Sequence, residues 1–200
     1  MSVEVETAAG LRRGESVIET SRALRGGMGD ASGIMNKVSG EAVAVDLPGG
    51  TLFALLQGGR KGSDYISSLP HDALEHGRVS PAMPRRFEAQ EWREEREVAR
   101  RMKPKVELDR SDYPTLVRFR DIRDPKSVEL VDPAKLAASF GPGVKLRCIT
   151  IQITDDPVTM GIEDKLPNPD DRGFFNWDGK SNPNEGTVVV LSDFMRGEKR

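Results

Sequence analysis

The acidic side chains between residues 155 and 171 are the strongest concentration of potential metal ligands in the sequence. Asp155, Asp156 and Glu163 could supply the carboxylate oxygens that Mg²⁺ and Ca²⁺ prefer, and His71 could join them from a loop. Such a set would support a metal-dependent hydrolase or transferase. The aspartates also have a structural interpretation, because Asp156 is placed to cap a helix and Asp155 adds favourable charge at its N-terminus. That interpretation is sufficient, so we expect no bound metal or cofactor.

Zinc and nucleophilic chemistry have less support in the residue types present. His71 and His76 are the only histidines, which is too few for a zinc site, and they lack the i, i+4 spacing of a helical pair. No Gly-x-Ser-x-Gly elbow surrounds Ser67, Ser68 or Ser192. The single cysteine, Cys148, lies in the most apolar strand, and we interpret it as a buried structural thiol rather than a nucleophile. Enzymatic activity stays undecided, with a non-enzymatic role favoured.

Two segments are better suited to contact than to catalysis. Arg60 and Lys61 stand in a glycine-rich loop with the ingredients of a phosphate cradle, but the residue order is not that of a P-loop. Phe174, Phe175 and Trp177 place aromatic area in a polar tail, where they either fix the tail to the domain, which is favoured, or form a partner site. These five residues are the candidate binding residues, with another protein as the candidate partner.

Composition indicates a folded domain near the polar end of the globular range. Apolar residues make up 36% of the 200 residues and charged residues 31%. A net charge of −2 gives no electrostatic reason to expect nucleic-acid binding. No window has the apolar length of a secretory signal core or of a membrane span. One cysteine cannot form an intrachain disulfide, so a reducing, cytoplasmic setting is expected.

Three Asp-Pro steps punctuate residues 113–166 into short elements. An aspartate before a helix accepts hydrogen bonds from unpaired backbone N–H groups, while proline fixes φ at the first helical position. We therefore predict helix starts at Asp132 and Asp156. Asp124 precedes a new apolar alternation almost at once, which favours a type I turn there.

Apolar alternation predicts hairpins over 41–56 and 115–131 and a central strand over 144–154. In the central strand the apolar parity changes near Cys148, which requires either cover on both faces or a bulge. A helix over 133–140 packed on one side of this strand is the favoured arrangement. The predicted fold class is α+β, with a small, mainly antiparallel sheet and short helices packed on it.

The other segments complete the expected organisation. Residues 1–37 are expected to form a loosely structured N-terminal arm, and 38–200 a single domain. Within the domain we predict a long loop over 57–83, one charged helix over 84–103 and an irregular tail over 167–186.

Several phrases of the sequence resemble a group of bacterial proteins to which no activity is attached. They are YPTLV at 113–117, FGPGV at 140–144, ITDDPVT at 153–159, GIE at 161–163 and LP at 166–167. The likeness leaves out the first 37 residues and the charged 84–103 segment. It implies a bacterial origin and a shared fold, and it transfers no catalytic or binding residue.

Two functions from different classes are consistent with these observations. The favoured one is a non-enzymatic binding or interaction domain, whose function depends on its surface. The alternative is a metal-dependent hydrolase or transferase that uses Asp155, Asp156 and Glu163. The second requires these side chains to converge around one concave site.

Overall fold

The structure is a computed structural model, and it describes residues 1–25, 33–58, 65–69, 97–168, 174–175 and 189–197. Its strands are β1 (Ser2–Thr7), β2 (Gly10–Glu15), β3 (Glu19–Arg25), β4 (Gly33–Glu41), β5 (Val43–Leu47), β6 (Gly50–Gly58), β7 (Lys105–Glu107), β8 (Pro114–Phe119), β9 (Val128–Leu130), β10 (Lys145–Gln152), β11 (Phe174–Phe175), β12 (Val189–Val190) and β13 (Met195–Arg196). The helices are α1 (65–69), α2 (97–102), α3 (Leu136–Phe140) and α4 (Leu191–Phe194), with 3₁₀ turns at Arg110–Asp112, Pro125–Ser127 and Ile162–Lys165.

The fold is mostly β, so the prediction of an α+β fold with one small sheet is wrong. The strand order of the first sheet is β2-β1-β10-β7, and that of the second is β5-β6-β8-β9. A third sheet has the order β13-β4-β3, and β11 pairs with β12. Within the described residues every strand pair is antiparallel. The predicted elements were assigned to one sheet because pairing between distant strands leaves no local pattern in the sequence.

The expected loose arm over 1–37 is ordered strand structure in its described residues. β1 lies between β2 and β10 in the first sheet, and Val3 and Val5 are fully buried. The alternation of valine with glutamate in β1 is the pattern of a strand with one buried face. Glycines 26, 27, 29 and 33 favour a loose arm in the sequence, but they follow β1 and β2 rather than interrupt them. The N-terminal residues are therefore part of the core.

The second sheet is covered on both faces, which explains the continuous apolar run from Leu52 to Leu56. Leu52 and Leu56 belong to a core that the first sheet, α1 and α3 also line. Phe53 and Leu55 belong to a second core that contains α4, β12 and the 3₁₀ turn at Ile162–Lys165. Thus β6, rather than β10, is the strand buried on both sides.

The two predicted hairpins are present. β5 and β6 pair across a two-residue turn at 48–49, within the predicted range 41–56. β8 and β9 pair within the predicted range 115–131. Both hairpins belong to the second sheet. Strong alternation and turn residues at the right positions made these local pairings predictable.

The predicted strand over 144–154 is β10, an interior strand of the first sheet. Its change of apolar parity is a bulge: Glu4 pairs with Cys148 and Val5 with Leu146, which leaves Arg147 as the extra residue. Ile149 lies inward beyond the bulge. The bulge therefore accounts for the change of apolar parity in β10. Leu136 and Phe140 of α3 belong to the same core as Ile149, so α3 helps to cover the buried face of this strand.

The turn predicted at Asp124 is present, whereas the helix starts predicted at Asp132 and Asp156 are wrong. The Ser127 N–H donates to the Asp124 carbonyl oxygen at 3.0 Å, and the Asp124 side chain accepts from the backbone N–H of Lys126 at 2.9 Å at the start of this 3₁₀ turn. Asp132 forms a turn, and α3 begins only at Leu136. No helix follows Asp156; the next helical residues are the 3₁₀ turn that begins after Gly161, whose φ of 138° favours glycine.

The segment after Asp156 is not helical because it is hydrogen-bonded to the connection between β2 and β3. The Thr159 N–H donates to the carbonyl oxygen of Val17 at 3.1 Å, and its hydroxyl accepts from the Val17 N–H at 3.0 Å. The Ser16 hydroxyl lies 2.9 Å from that of Thr159 and donates to the Glu41 carbonyl at 2.6 Å. These bonds use the backbone groups that a helix would need.

Three predicted segments fall largely outside the described residues. Of the loop over 57–83, only the end of β6 and α1 are described. Of the charged helix over 84–103, residues 97–102 are helical and 84–96 are not described. Of the tail over 167–186, residues 167–168 and β11 are described. No helix in the described part of the chain has the length and apolar character needed to cross a membrane.

Candidate functional site

The outward face of the first sheet carries a group of polar side chains on three neighbouring strands. Alternation in β1 buries Val3 and Val5 and turns Glu4 outward. The bulge in β10 turns Arg147 and Cys148 to the same side as Glu4. The short strand β7 adds Lys105 and Glu107 to this face. Strand pairing thereby gathers residues that are more than a hundred positions apart in the sequence.

These side chains surround an open cleft of about 500 Å³. The lining residues are Glu4, Lys105, Glu107, Arg147, Cys148 and Thr150. Two are acidic and two basic, so the cleft presents both signs of charge over a short distance. We call this surface the cleft face.

Contacts between neighbouring strands order part of the cleft face. Glu4 Oε2 accepts a weak hydrogen bond from the Cys148 thiol, with Sγ at 3.7 Å, and lies 3.7 Å from Nη1 of Arg147. The hydroxyls of Ser2 and Thr150 are 2.7 Å apart on paired residues of β1 and β10. Thr150 also pairs with Glu107 of β7. The three strands therefore hold these groups in a fixed row.

Cys148 is half-buried at this cleft, which corrects its interpretation as a thiol buried in the core. Burial raises the pKa of the Cys148 thiol above its ordinary value, and the nearby charges of Glu4 and Glu107 raise it further. Arg147 opposes this effect but is the smallest contribution. The thiol is therefore protonated near neutral pH, which makes it a poor nucleophile.

Tyr113 lies within electrostatic range of the same groups. Burial raises the pKa of its phenol, with a further increase from the charge of Glu107 that Arg110 partly offsets. The phenol therefore keeps its proton and can donate a hydrogen bond. Near the cleft, both the thiol and the phenol are neutral donors.

The predicted acidic cluster is not assembled as a metal site. Asp155 is exposed and bonded to Lys103, with Nζ 2.8 Å from Oδ2, and this contact lowers the pKa of Asp155. Asp156 instead accepts from the Thr154 hydroxyl. Glu163 lies in the 3₁₀ turn at Ile162–Lys165. Within the described ranges no three His, Cys, Asp or Glu side chains are arranged to hold a metal ion, and His71 lies outside those ranges.

The predicted binding residues are only partly described. Arg60, Lys61 and Trp177 lie outside the described residues. Phe174 and Phe175 form β11, whose backbone pairs with Val190 and Val189. This pairing is consistent with fixing of the tail to the domain, the interpretation favoured from the sequence.

Sequence reasoning did not identify the cleft residues other than Cys148. Two local signals were available: the alternation that turns Glu4 outward, and the parity change that indicates a bulge beside Cys148. Neither signal shows that β1 pairs with β10. That pairing brings Glu4 to within bonding distance of Cys148 and Arg147.

Together these groups can form hydrogen bonds and ion pairs of both signs, with a thiol and a phenol that retain their protons. Such a surface is suited to recognition, because its charged groups are accessible and held on a sheet. The chain matches no protein-family model, no curated protein and no solved structure.

Proposed function

We propose that the chain is a non-enzymatic binding domain that contacts another protein through the cleft face. The observation that supports this most is the cleft of about 500 Å³ lined by Glu4, Glu107, Lys105 and Arg147 on three paired strands. Charges of both signs at fixed positions favour a partner with a complementary pattern.

The sheet beneath the cleft supports binding by limiting the cost of ordering its side chains. Val3, Val5 and Ile149 are fully buried on the opposite face of the same strands. Burial of this face fixes the strands, so their outward side chains start from a restricted set of positions. Binding by a preorganised surface loses less conformational entropy than binding by a mobile loop.

A protein partner fits this surface better than the other classes considered. The mixture of charges on the cleft face and the net charge of −2 do not resemble the basic patch of a nucleic-acid-binding protein. The metal-dependent alternative gains no support from Asp155, which is bonded to Lys103. We further propose that the domain acts in a bacterial cytoplasm, a proposal supported by the sequence resemblance to bacterial proteins and by the single cysteine.

The proposal can be tested by affinity capture with a charge-reversed variant. Lys105→Glu combined with Arg147→Glu removes both cations of the cleft. We expect the wild-type chain to recover a partner from bacterial lysate and this variant to recover at least tenfold less. Loss of two charged contacts is sufficient for a change of that size.

The matched control is Arg123→Glu combined with Lys126→Glu, which reverses two exposed charges on the turn between β8 and β9. It has the same net charge as the cleft variant and should recover the partner like wild type. Equal recovery by all three proteins would refute the cleft face as the contact. Equal loss in both variants would indicate attraction by net charge alone.

A further inference from the structure

The short strand β7 lies at one edge of the first sheet, with β10 as its one neighbour among the described strands. Val106 in its centre pairs with Ile151 of β10. Just after β7, the Leu108 N–H donates to the carbonyl oxygen of Ile149 at 2.8 Å. The even-numbered residues of this segment therefore direct their backbone groups to β10.

The odd-numbered residues of β7 direct their backbone groups to the open side. Successive residues of an antiparallel strand alternate in the direction of their N–H and C=O groups. The N–H and C=O groups of Lys105 and Glu107 therefore point away from β10. On that side, neither residue has a backbone hydrogen bond to another described residue. An edge strand of this kind is a template on which a further strand can pair.

The side chains of these two residues carry opposite charges on the cleft face. Both are exposed, and neither has an ion-pair partner in the part of the chain that the structure describes. Val106 between them points to the opposite face, where it packs against the first core and is only partly buried. A strand added beside β7 would meet two unpaired charges on one face and an apolar side chain on the other.

The charge pattern of this segment is its own antiparallel complement. Residues 103–109 read Lys-Pro-Lys-Val-Glu-Leu-Asp, with two cations before Val106 and two anions after it, all at alternate positions. When two copies pair antiparallel with Val106 opposite Val106, Lys105 of each copy lies opposite Glu107 of the other. Opposite charges that face each other in this way stabilise an antiparallel pair.

Backbone direction and charge select the same register. In this register Lys105 and Glu107 form the hydrogen-bonded pairs, through the groups that face the open side, and the two Val106 side chains form the close pair between them. A slip of two residues places Lys105 opposite Lys105 or Glu107 opposite Glu107, and like charges in that position are destabilising. Charges on an edge strand commonly prevent pairing, but this pattern opposes the slipped registers only. Lys103 is already bonded to Asp155, which leaves Lys105 and Glu107 to carry the contact.

We propose that the edge of β7 is a self-association surface, on which a second copy of this chain adds its own β7 in the antiparallel register centred on Val106. The two copies of the first sheet then form one sheet with the strand order β2-β1-β10-β7-β7-β10-β1-β2. Lys105 of one copy and Glu107 of the other share a face, so the two-fold axis is perpendicular to the sheet and the two cleft faces adjoin. The short edge makes this a small interface of the weak, reversible class. The proposal concerns the chain alone and does not rest on its binding of another protein.

The test reverses the two charges in separate chains. Lys105→Glu gives a β7 with two anions, and Glu107→Lys gives a β7 with two cations. Either variant alone brings like charges together in the proposed register, whereas an equimolar mixture of the two restores both opposite-charge pairs. Both side chains are exposed, so both variants should fold like wild type, as checked by circular dichroism.

Sedimentation velocity of the purified chains, at concentrations up to about 200 μM, covers the range of weak association. We expect wild type to form reversible dimers, each variant alone to have an at least tenfold larger dimer Kd, and the mixture to recover the wild-type value. A wild-type chain that stays monomeric over this range would overturn the proposal. A mixture that associates no better than its two components would overturn it as well.

The matched control pair is Lys135→Glu and Asp164→Lys, at exposed positions outside the first sheet. These two variants have the same net charges as the two test variants. Each should dimerise like wild type, both alone and in the mixture. Association of the control mixture above the wild-type level would assign the recovery to net charge and would count against the β7 edge.

Hydrogen exchange locates the contact on the backbone. The amides of Lys105 and Glu107 should exchange quickly in dilute wild-type protein and several-fold more slowly at concentrations where dimers form. The amide of Val106, which faces β10, is the internal reference and should be slow at both concentrations. Slow exchange of Lys105 and Glu107 at every concentration would show that this edge is already paired within one chain, which would exclude a second copy as its occupant.

Discussion

The chemistry of the cleft depends on the direction in which single side chains point at the β10 bulge. The bulge adds Arg147 and sets Cys148 opposite Glu4. Without the extra residue, the side chains on one side of it would exchange faces. Cys148 then has carboxylates for neighbours, and its thiol is kept in the protonated form.

Replacing Glu4 should make Cys148 more reactive. Glu4→Gln removes one of the negative charges that raise the pKa of the thiol, although burial, the larger cause, remains. We expect the alkylation rate at pH 8 to increase and its pH profile to move to lower pH. Glu6→Gln on the same strand is the exposed control. An unchanged profile for Glu4→Gln would show that Glu4 does not act on the thiol.

Asp193 should give the free energy of unfolding a pH dependence opposite in sign to that given by an aspartate whose pKa is lowered by a salt bridge. Burial raises the pKa of Asp193, so its contribution to stability is present below the unfolded-state pKa of about 3.9 and is lost as pH rises through the higher folded-state value. The stability of Asp193→Asn relative to wild type should therefore increase from acidic to neutral pH.

Asp46 provides the comparison for this measurement. The hydrogen bond from Lys165 lowers the pKa of Asp46, so its contribution is present above the unfolded-state value and is lost as pH falls through the folded-state value. Urea unfolding of Asp46→Asn and Asp193→Asn between pH 2 and 7 should give opposite trends relative to wild type. Parallel trends would mean that Asp193 is not buried as described.

At the scale of elements, sequence patterns predicted the hairpins, because their strands pair with residues that are close in the sequence. The hairpin of β5 and β6 follows from alternation on both sides of Pro48-Gly49. The missed elements depend on distant partners. The segment of Val3 and Val5 is a core strand because it pairs with β10, which the local sequence does not indicate. Asp156 has the sequence context of a helix cap, but the hydrogen bonds between Thr159 and Val17 prevent a helix from forming there.

In the ITDDPVT segment, the Thr159 side chain should contribute more to the free energy of unfolding than the Asp156 side chain. Thr159→Val keeps the shape but removes the hydroxyl that contacts Ser16 and Val17, and we expect a loss of about 1 to 3 kcal/mol in the free energy of unfolding. Asp156→Ala should change it by less than about 0.5 kcal/mol, because the side chain is exposed and caps no helix. Chemical denaturation of the two variants gives the comparison; the reverse order would restore the cap interpretation.

Gly14 should be intolerant of a side chain. A Cβ at this position would collide with the carbonyl oxygen of Ala44 and would crowd Val43 and Val45. β2 can approach β5 this closely only because Gly14 has no side chain. Gly14→Ala should cost about 1 to 3 kcal/mol of unfolding free energy, measured by denaturation. Arg12→Ala, exposed on the same strand, should be nearly neutral, and equal small effects would contradict the close packing of the two sheets.

At the scale of the whole molecule, two sheets share one core, and the second sheet has another core on its far side. This arrangement leaves the first sheet with one outward face, where the cleft is found. The sequence could not locate that face, because Glu4, Glu107 and Arg147 come from strands whose pairing spans most of the chain. This surface can be recognised only when the pairing of β10 with β1 and with β7 is known.

The most direct test of the cleft face as a binding surface is carboxylate labelling of the complex recovered by affinity capture. Carbodiimide labelling with and without the partner, read by mass spectrometry, should decrease several-fold at Glu4 and Glu107. Labelling at Asp121 and Asp132, which are exposed near the second sheet, should be unchanged. Unchanged labelling at Glu4 and Glu107, with protection at Asp121 or Asp132 instead, would contradict the proposed function.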